Sequence, residues 1–222
     1  MKPSSLVMIP GIAVALFGAA AHAEDVAGTA RYRVDFERTW SSDTHPKDFP
    51  LLAHFSPVIG VTQAKGYELI PLGGTATPGL EMLCEEGKHQ PLDSEIKASI
   101  AKGDAGVLIE TMDPLRSVPQ TATTEFTIDA QHPTVTIAAM IAPSPDWCAV
   151  AANVPLMQDG KFADQVSVEL IAWDMGTDSG TSYRAFDSDT KPRAKIAKND
   201  SPYFQKNGAP NPVGKVTFTR LP

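Results

Sequence analysis

Thr29-Ala-Arg-Tyr-Arg-Val-Asp-Phe-Glu-Arg-Thr-Trp40 alternates residue by residue. Tyr32, Val34 and Phe36 fall on one side of an extended chain, and Arg31, Arg33 and Asp35 on the other. Successive side chains of a strand point to opposite faces, so this stretch reads as a half-buried β-strand. Outward from it, Gly66–Leu72 reads as a short strand turned by Gly73-Gly74. Segments 106–109, 121–128, 134–141, 166–173 and 213–221 are rich in β-branched residues. One helix is expected over Asp93–Lys102, where Leu92, Ile96 and Ile100 recur on one face, Asp93 or Ser94 can cap the start and Gly103 stops it. Pro78–Gly87 has room for one or two helical turns. Ser41–Pro57 carries three prolines and reads as an ordered loop anchored by Phe49 and Phe55. Strands at short intervals with Pro and Gly between them describe a mainly β, antiparallel sandwich with one short helix and long ordered loops. There is no β-α-β alternation, which excludes a dinucleotide-binding fold.

The 222 residues are 42% hydrophobic and 20% charged, inside the globular range. The formal charge is −7, with no basic stretch to neutralise phosphates, so nucleic acid and anionic-lipid electrostatics are poor explanations of the chain. Its carboxylates can serve a cation instead. At the N-terminus, Lys2 precedes the apolar run Leu6–Ala20 and the A-x-A signal Ala21-His22-Ala23. This pattern reads as a signal peptide, residues 1–23, cleaved after Ala23 for secretion or export to a periplasm. Residues 24–222 then form a single domain with no apolar segment of membrane-spanning length. In an oxidising compartment the even pair Cys84 and Cys148 favours a disulfide over two buried thiols or a catalytic Cys148, for which no histidine partner is spaced.

Two acidic loops carry whatever chemistry there is. Pro143-Ser144-Pro145-Asp146-Trp147 follows one strand, and Asp174-Met175-Gly176-Thr177-Asp178-Ser179-Gly180 follows another. Neighbouring strands can present Asp146, Asp174 and Asp178 at one edge, and a hard cation such as Ca²⁺ takes six to eight oxygens in flexible geometry. Without a cation, crowded carboxylates raise one another's pKa. The competing reading is that Asp and Gly are ordinary turn formers. An EF-hand is excluded, because counting from Asp174 places Ala185 where the bidentate Glu belongs. Asp187 and Asp189 read as a solvated turn that can add a ligand. His45, His54, His89 and His132 show no zinc spacing, and no nucleophile elbow or Walker loop is present. Asn199-Asp200-Ser201 is a glycosylation sequon.

Thr39-Trp40-Ser41, His45-Pro46-x-x-Phe49-Pro50, Ala53-His54-Phe55-Ser56-Pro57 and Ile59-Gly60, followed by the two acidic loops in order, resemble the spondin N-terminal domain family. The likeness is to an F-spondin-like module, in the form of a secreted bacterial member, over roughly residues 30–221. The resemblance implies a C2-like β-sandwich in which aspartates at one end hold Ca²⁺, and the family's ligand positions fall on Asp146, Asp174 and Asp178. Cys148 and Gln63 depart from the family pattern, the latter where a histidine is common. Trp40, Trp147 and Trp173 are expected in the core, with a sugar- or peptide-binding surface as the sharper alternative. The functional expectation is a secreted, non-enzymatic, calcium-binding recognition or cell-adhesion module, extracellular matrix-like, monomeric, whose ligand is a protein or glycan at a cell surface. Its rivals are a secreted metal-assisted hydrolase using His54 or His132, and a structural envelope protein with no ligand.

Overall fold

The computed structural model describes residues 28–222, so the leader and its cleavage point lie outside the described residues. In chain order the strands are β1 (Thr29–Arg38), β2 (His54–Phe55), β3 (Ile59–Gln63), β4 (Ala105–Glu110), β5 (Gln120–Asp129), β6 (Thr134–Ala142) and β7 (Trp147–Pro155). There follow β8 (Met157–Gln158), β9 (Lys161–Phe162), β10 (Gln165–Asp174), β11 (Ala197–Lys198), β12 (Gln205–Lys206), β13 (Ala209–Pro210) and β14 (Gly214–Arg220). Helices α1 (Pro78–Glu86) and α2 (Leu92–Lys102) lie between β3 and β4.

The main sheet is antiparallel and runs β4-β3-β6-β7-β10-β14-β1-β5, with β2 on β6 and β11 on β10. Its outer strands β4 and β5 come back into contact, so the sheet nearly closes into a barrel-like shape. β10 makes the curl possible. Its first part, Gln165–Leu170, pairs with β14, and its last part, Ile171–Asp174, pairs with β7.

The alternation of β1 holds: Tyr32, Val34 and Phe36 are buried inside the curl with Phe126 of β5 and Phe218 of β14. β6 does not alternate, and it is buried on both faces. Ile137, Ala139 and Ile141 face the interior, whereas Ala138, Met140 and Ala142 face a second core formed with α1 and α2. A strand covered on both sides has no solvent face to be polar, which is why its sequence is an apolar run.

Several local expectations are corrected. Two helices form, not one: Thr77 caps α1 by accepting from Leu80 N at 3.2 Å, and the helix runs past the two turns allotted to it. α2 ends at Gly103 in the left-handed conformation as its sequence requires, but Pro91 occupies its N-cap and neither Asp93 nor Ser94 supplies the cap bond. Gly66–Leu72 is loop. Gln63 holds it there, with Nε2 donating to Tyr67 O and to Asn153 Oδ1 and Oε1 accepting from Leu69 N. This gives the departure at Gln63 a structural use. β3 and β7 carry no clear sequence signal of their own, and both are buried central strands. Cys84 of α1 and Cys148 of β7 are bonded, tying the helical layer to the sheet. Among the described residues no helix is long and apolar enough to cross a membrane.

Candidate functional site

The register places both acidic loops at one end of the sheet. β7 starts and β10 ends side by side, with Asp174 opposite Trp147 and Trp173 opposite Cys148. The β6–β7 connection, 143–146, is closed by Ser144, whose Oγ accepts from Trp147 N at 3.1 Å. That turn tucks Asp146 under the β10 loop, where it has no exposed surface. Asp146 Oδ2 accepts from Thr177 N at 2.7 Å, Asp178 N at 3.2 Å and Thr177 Oγ1 at 3.3 Å. Its other oxygen, Oδ1, is buried with no hydrogen-bond partner.

Asp174 is half-buried, and its Oδ1 accepts from Gly176 N at 3.0 Å, tightening the turn. Gly176 sits at φ +71°, and a Cβ there would lie 2.7 Å from the Ala194 carbonyl, so only glycine lets the loop pass. Asp178 is turned inward on its own loop: Oδ1 accepts from Gly180 N at 2.5 Å and Oδ2 from Ser188 N at 2.8 Å. The segment of Asp187 and Asp189 folds back beside it, with Thr190 N donating to Thr177 O and Asp189 bridged to Lys191. The structure thus brings Asp146 and Asp174 together electrostatically and uses both oxygens of Asp178 to shape the loop. Among the described residues no group of three or more His, Cys, Asp or Glu side chains is arranged to hold a metal ion.

The electrostatics are those of an acidic, poorly hydrated site. Burial, and then the charge of Asp174, push the Asp146 carboxyl up to about 6. Asp174 is also raised, chiefly by burial, with Asp178 and Asp200 adding repulsion. One carboxylate was not foreseen. Glu85 of α1 is raised by burial and feels Glu81, Asp178 and Asp187, while the Thr177 hydroxyl offsets part of the cost. The disulfide carried its signal, since bonding Cys84 to Cys148 brings Glu85 near a loop that ends at Asp146.

A cavity of about 340 Å³ lies beside Asp174, lined also by Trp147, Asn199, Asp200 and Ser201. Asn199 Nδ2 and Ser201 Oγ are buried without partners. Asn199 is only 6% exposed, and its Oδ1 accepts from Ser201 N, so the sequon is folded into the wall of the site. Trp40, Trp147 and Trp173 are buried as expected, with Trp40 stacked on Phe55 and Trp147 edge-on to Phe204. The histidines of the hydrolase reading are engaged elsewhere. His132 Nδ1 pairs with Asp129 and Nε2 with Gly103 O, and His54 Nδ1 lies 2.9 Å from Leu52 O.

Against known families, a model described as Spondin_N matches residues 30–211, which include all of β1 but its first residue, both acidic loops and the cavity beside Asp174. The chain belongs to the Spondin_N family. Spondin-1 of Gallus gallus is 32% identical over 209 residues, covering 87% of this chain and 26% of Spondin-1. Human Spondin-1 is 31% identical with the same coverage. Spondin-2 of Rattus norvegicus is 27% identical over 204 residues, covering 86% of this chain and 62% of Spondin-2. This Spondin_N chain therefore spans about a quarter of Spondin-1 and under two thirds of Spondin-2. Chicken, human and rat relatives lend no support to a bacterial source.

Proposed function

We propose that this Spondin_N chain is a secreted or otherwise exported, non-enzymatic recognition and adhesion module whose loop end binds Ca²⁺. One observation carries the cation: Asp146 Oδ1, a buried carboxylate oxygen with no donor, next to a second raised carboxylate on Asp174. An unpartnered buried anion costs several kcal/mol, and a hard cation removes that cost. Asp146 and Asp174 would hold the ion, Asp178 would add an oxygen with its remaining lone pairs, and loop carbonyls would fill out the oxygen shell that Ca²⁺ takes. Bound there, the cation would offset the carboxylate repulsion and fasten the β6–β7 loop to the β10 loop. The neighbouring cavity, with the unpartnered donors of Asn199 and Ser201 in its wall, supports a site for a protein or glycan partner that supplies acceptors. Export is supported by the leader pattern and the disulfide. The split pairing of β10, one part to each half of the curled sheet, supports the C2-like two-layer reading.

The test is thermal unfolding of residues 24–222 after chelation, with and without Ca²⁺. The midpoint is expected to climb with free Ca²⁺, as linkage requires of an ion bound only by the native state. Asp174→Asn is expected to abolish most of that rise. A flat response at millimolar Ca²⁺, or an unchanged titration for the variant, removes the cation from the proposal.

A further inference from the structure

The end of the barrel opposite the acidic loops, where β6 starts and β7 ends, holds a cavity of about 380 Å³, within the range of small-molecule sites. Lys65, Tyr67 and Glu68 line it from the loop after β3, Pro133 from the turn before β6, and Asn153 from β7. The cavity stands on a buried polar network. Gln63 has no exposed surface, and its side chain reaches both walls. Nε2 donates to Tyr67 O at 3.2 Å and to Asn153 Oδ1 at 2.8 Å, and Oε1 accepts from Leu69 N at 3.2 Å. The loop that carries Lys65, Tyr67 and Glu68 is therefore held in place from beneath.

Asn153 is brought to the cavity by a β-bulge. Val135 pairs with Val154 and Ile137 with Ala151, so Ala152 and Asn153 together oppose Thr136. An extra residue of this kind re-aims a side chain, and bulges are over-represented beside functional sites. Asn153 takes φ +54°, and among the described residues it is the only non-glycine residue inside a strand to enter the left-handed region. Its backbone N donates to Thr136 Oγ1 at 2.9 Å, and its Oδ1 accepts from Gln63 Nε2 and from Thr136 Oγ1 at 3.4 Å. With Oδ1 engaged on the network, Nδ2 and its two N–H groups are left for the cavity.

The lining is chemically mixed. Its eight residues include one cation, Lys65, and one carboxylate, Glu68, so it favours neither an anionic nor a cationic ligand. Asn153 Nδ2 and Lys65 Nζ only donate, and the Glu68 carboxylate only accepts. A hydroxyl meets either need from one atom, whereas a peptide group presents its N–H and C=O on opposite sides. Tyr67 and Pro133, both half-buried, add flat ring surface. Several hydroxyls on a ring that also has an apolar C–H face describe a pyranose.

We propose that this cavity is a calcium-independent subsite for a neutral pyranose sugar, whose hydroxyls accept from Asn153 Nδ2 and donate to Glu68. The test titrates the methyl glycosides of glucose, galactose, mannose and N-acetylglucosamine into residues 24–222 in chelator, which separates its outcome from that of the calcium titration. Amide resonances are followed by NMR. At least one glycoside is expected to bind with a dissociation constant of about a millimolar, shifting the Asn153 side-chain amide and the backbone amides of residues 65–68. Saturating Ca²⁺ is expected to leave that affinity unchanged. Asn153→Asp keeps an oxygen for Gln63 and replaces the donor by an acceptor, and Glu68→Ala removes an exposed acceptor. Each is expected to keep its melting midpoint and to weaken binding roughly tenfold, and such a loss in either variant supports the proposal. The proposal is overturned if no glycoside shifts these amides, or if the shifts fall on the two acidic loops instead. It is equally overturned if binding requires Ca²⁺ or if both variants titrate like wild type.

Discussion

Asp146 offers the sharpest test of how the acidic loops work. In chelator, its folded carboxyl titrates near 6, whereas an unfolded aspartate titrates near 3.8. Between those values the native state holds a proton that the unfolded state has lost. Stability must therefore fall as pH rises through the window, the reverse of a salt-bridged carboxylate. At 1.36 kcal/mol for each pK unit, the separation amounts to ~3 kcal/mol on going from pH 4 to pH 7. For a domain of this size that is roughly 6–12 °C in melting midpoint. Asp146→Asn isolates the effect: its amide oxygen can still accept from Thr177 N and Asp178 N, but it has no charge to desolvate. Other groups titrate too, so the quantity to read is wild type minus variant. Calorimetry or circular dichroism in chelator should find wild type the more favoured at pH 4 and losing that advantage by pH 7. Saturating Ca²⁺ should cancel the fall, because a bound cation prefers the deprotonated carboxylate. A wild-type-minus-variant difference that stays flat from pH 4 to pH 7 would refute the reasoning and make Asp146 an ordinary loop residue.

Further outcomes can be checked in the same assays. Reducing the Cys84–Cys148 bond, or replacing both cysteines by alanine, should cost about 4 kcal/mol in the chain-entropy account of a loop with a separation of 64 residues, read from denaturant midpoints. Gly176→Ala should destabilise by about 2 kcal/mol through its left-handed φ and its contact with the Ala194 carbonyl; a midpoint within error of wild type would count against the loop geometry. Glu85→Gln should raise the midpoint in chelator at neutral pH and leave it unchanged at pH 4, where the native carboxyl is already protonated. A lower neutral-pH midpoint would mean that its contact with Thr177 outweighs the relief of repulsion.

The sequence was legible where one face of an element meets water. β1 shows its alternation because one side of it is solvated, and α2 shows its four-residue spacing and terminal Gly103 for the same reason. β3 and β7 were missed because β3 is only five residues with Gly60 and Gln63 in it and β7 is rich in alanine, so neither shows the β-branched apolar run by which β6, equally covered on both faces, was read. Gly66–Leu72 misled in the opposite sense. Leu69 and Ile70 are apolar because they plug the second core from a loop, not because a ladder runs through them. At the site, Asp146 and Asp174 could be paired from the likeness of two loops. The burial that raises Asp146 and the donors that occupy Asp178 depend on how tightly the loops nest, which spacing does not encode. Glu85 was within reach of the expected Cys84–Cys148 bond, which places it beside the Asp146 loop, but nothing in its own spacing marked it.

The first and last strands of the described chain are neighbours: β1 and β14 run antiparallel, with Tyr32 beside Arg220 and Arg38 beside Gly214. Polypeptide arriving before β1 and departing after β14 consequently attaches at a single corner, at the far end of the barrel from the acidic loops. Load applied through the two attachments would peel β1 from β14 one hydrogen bond at a time and would not shear the whole ladder at once. The end that would yield by unzipping is therefore the one opposite the acidic loops.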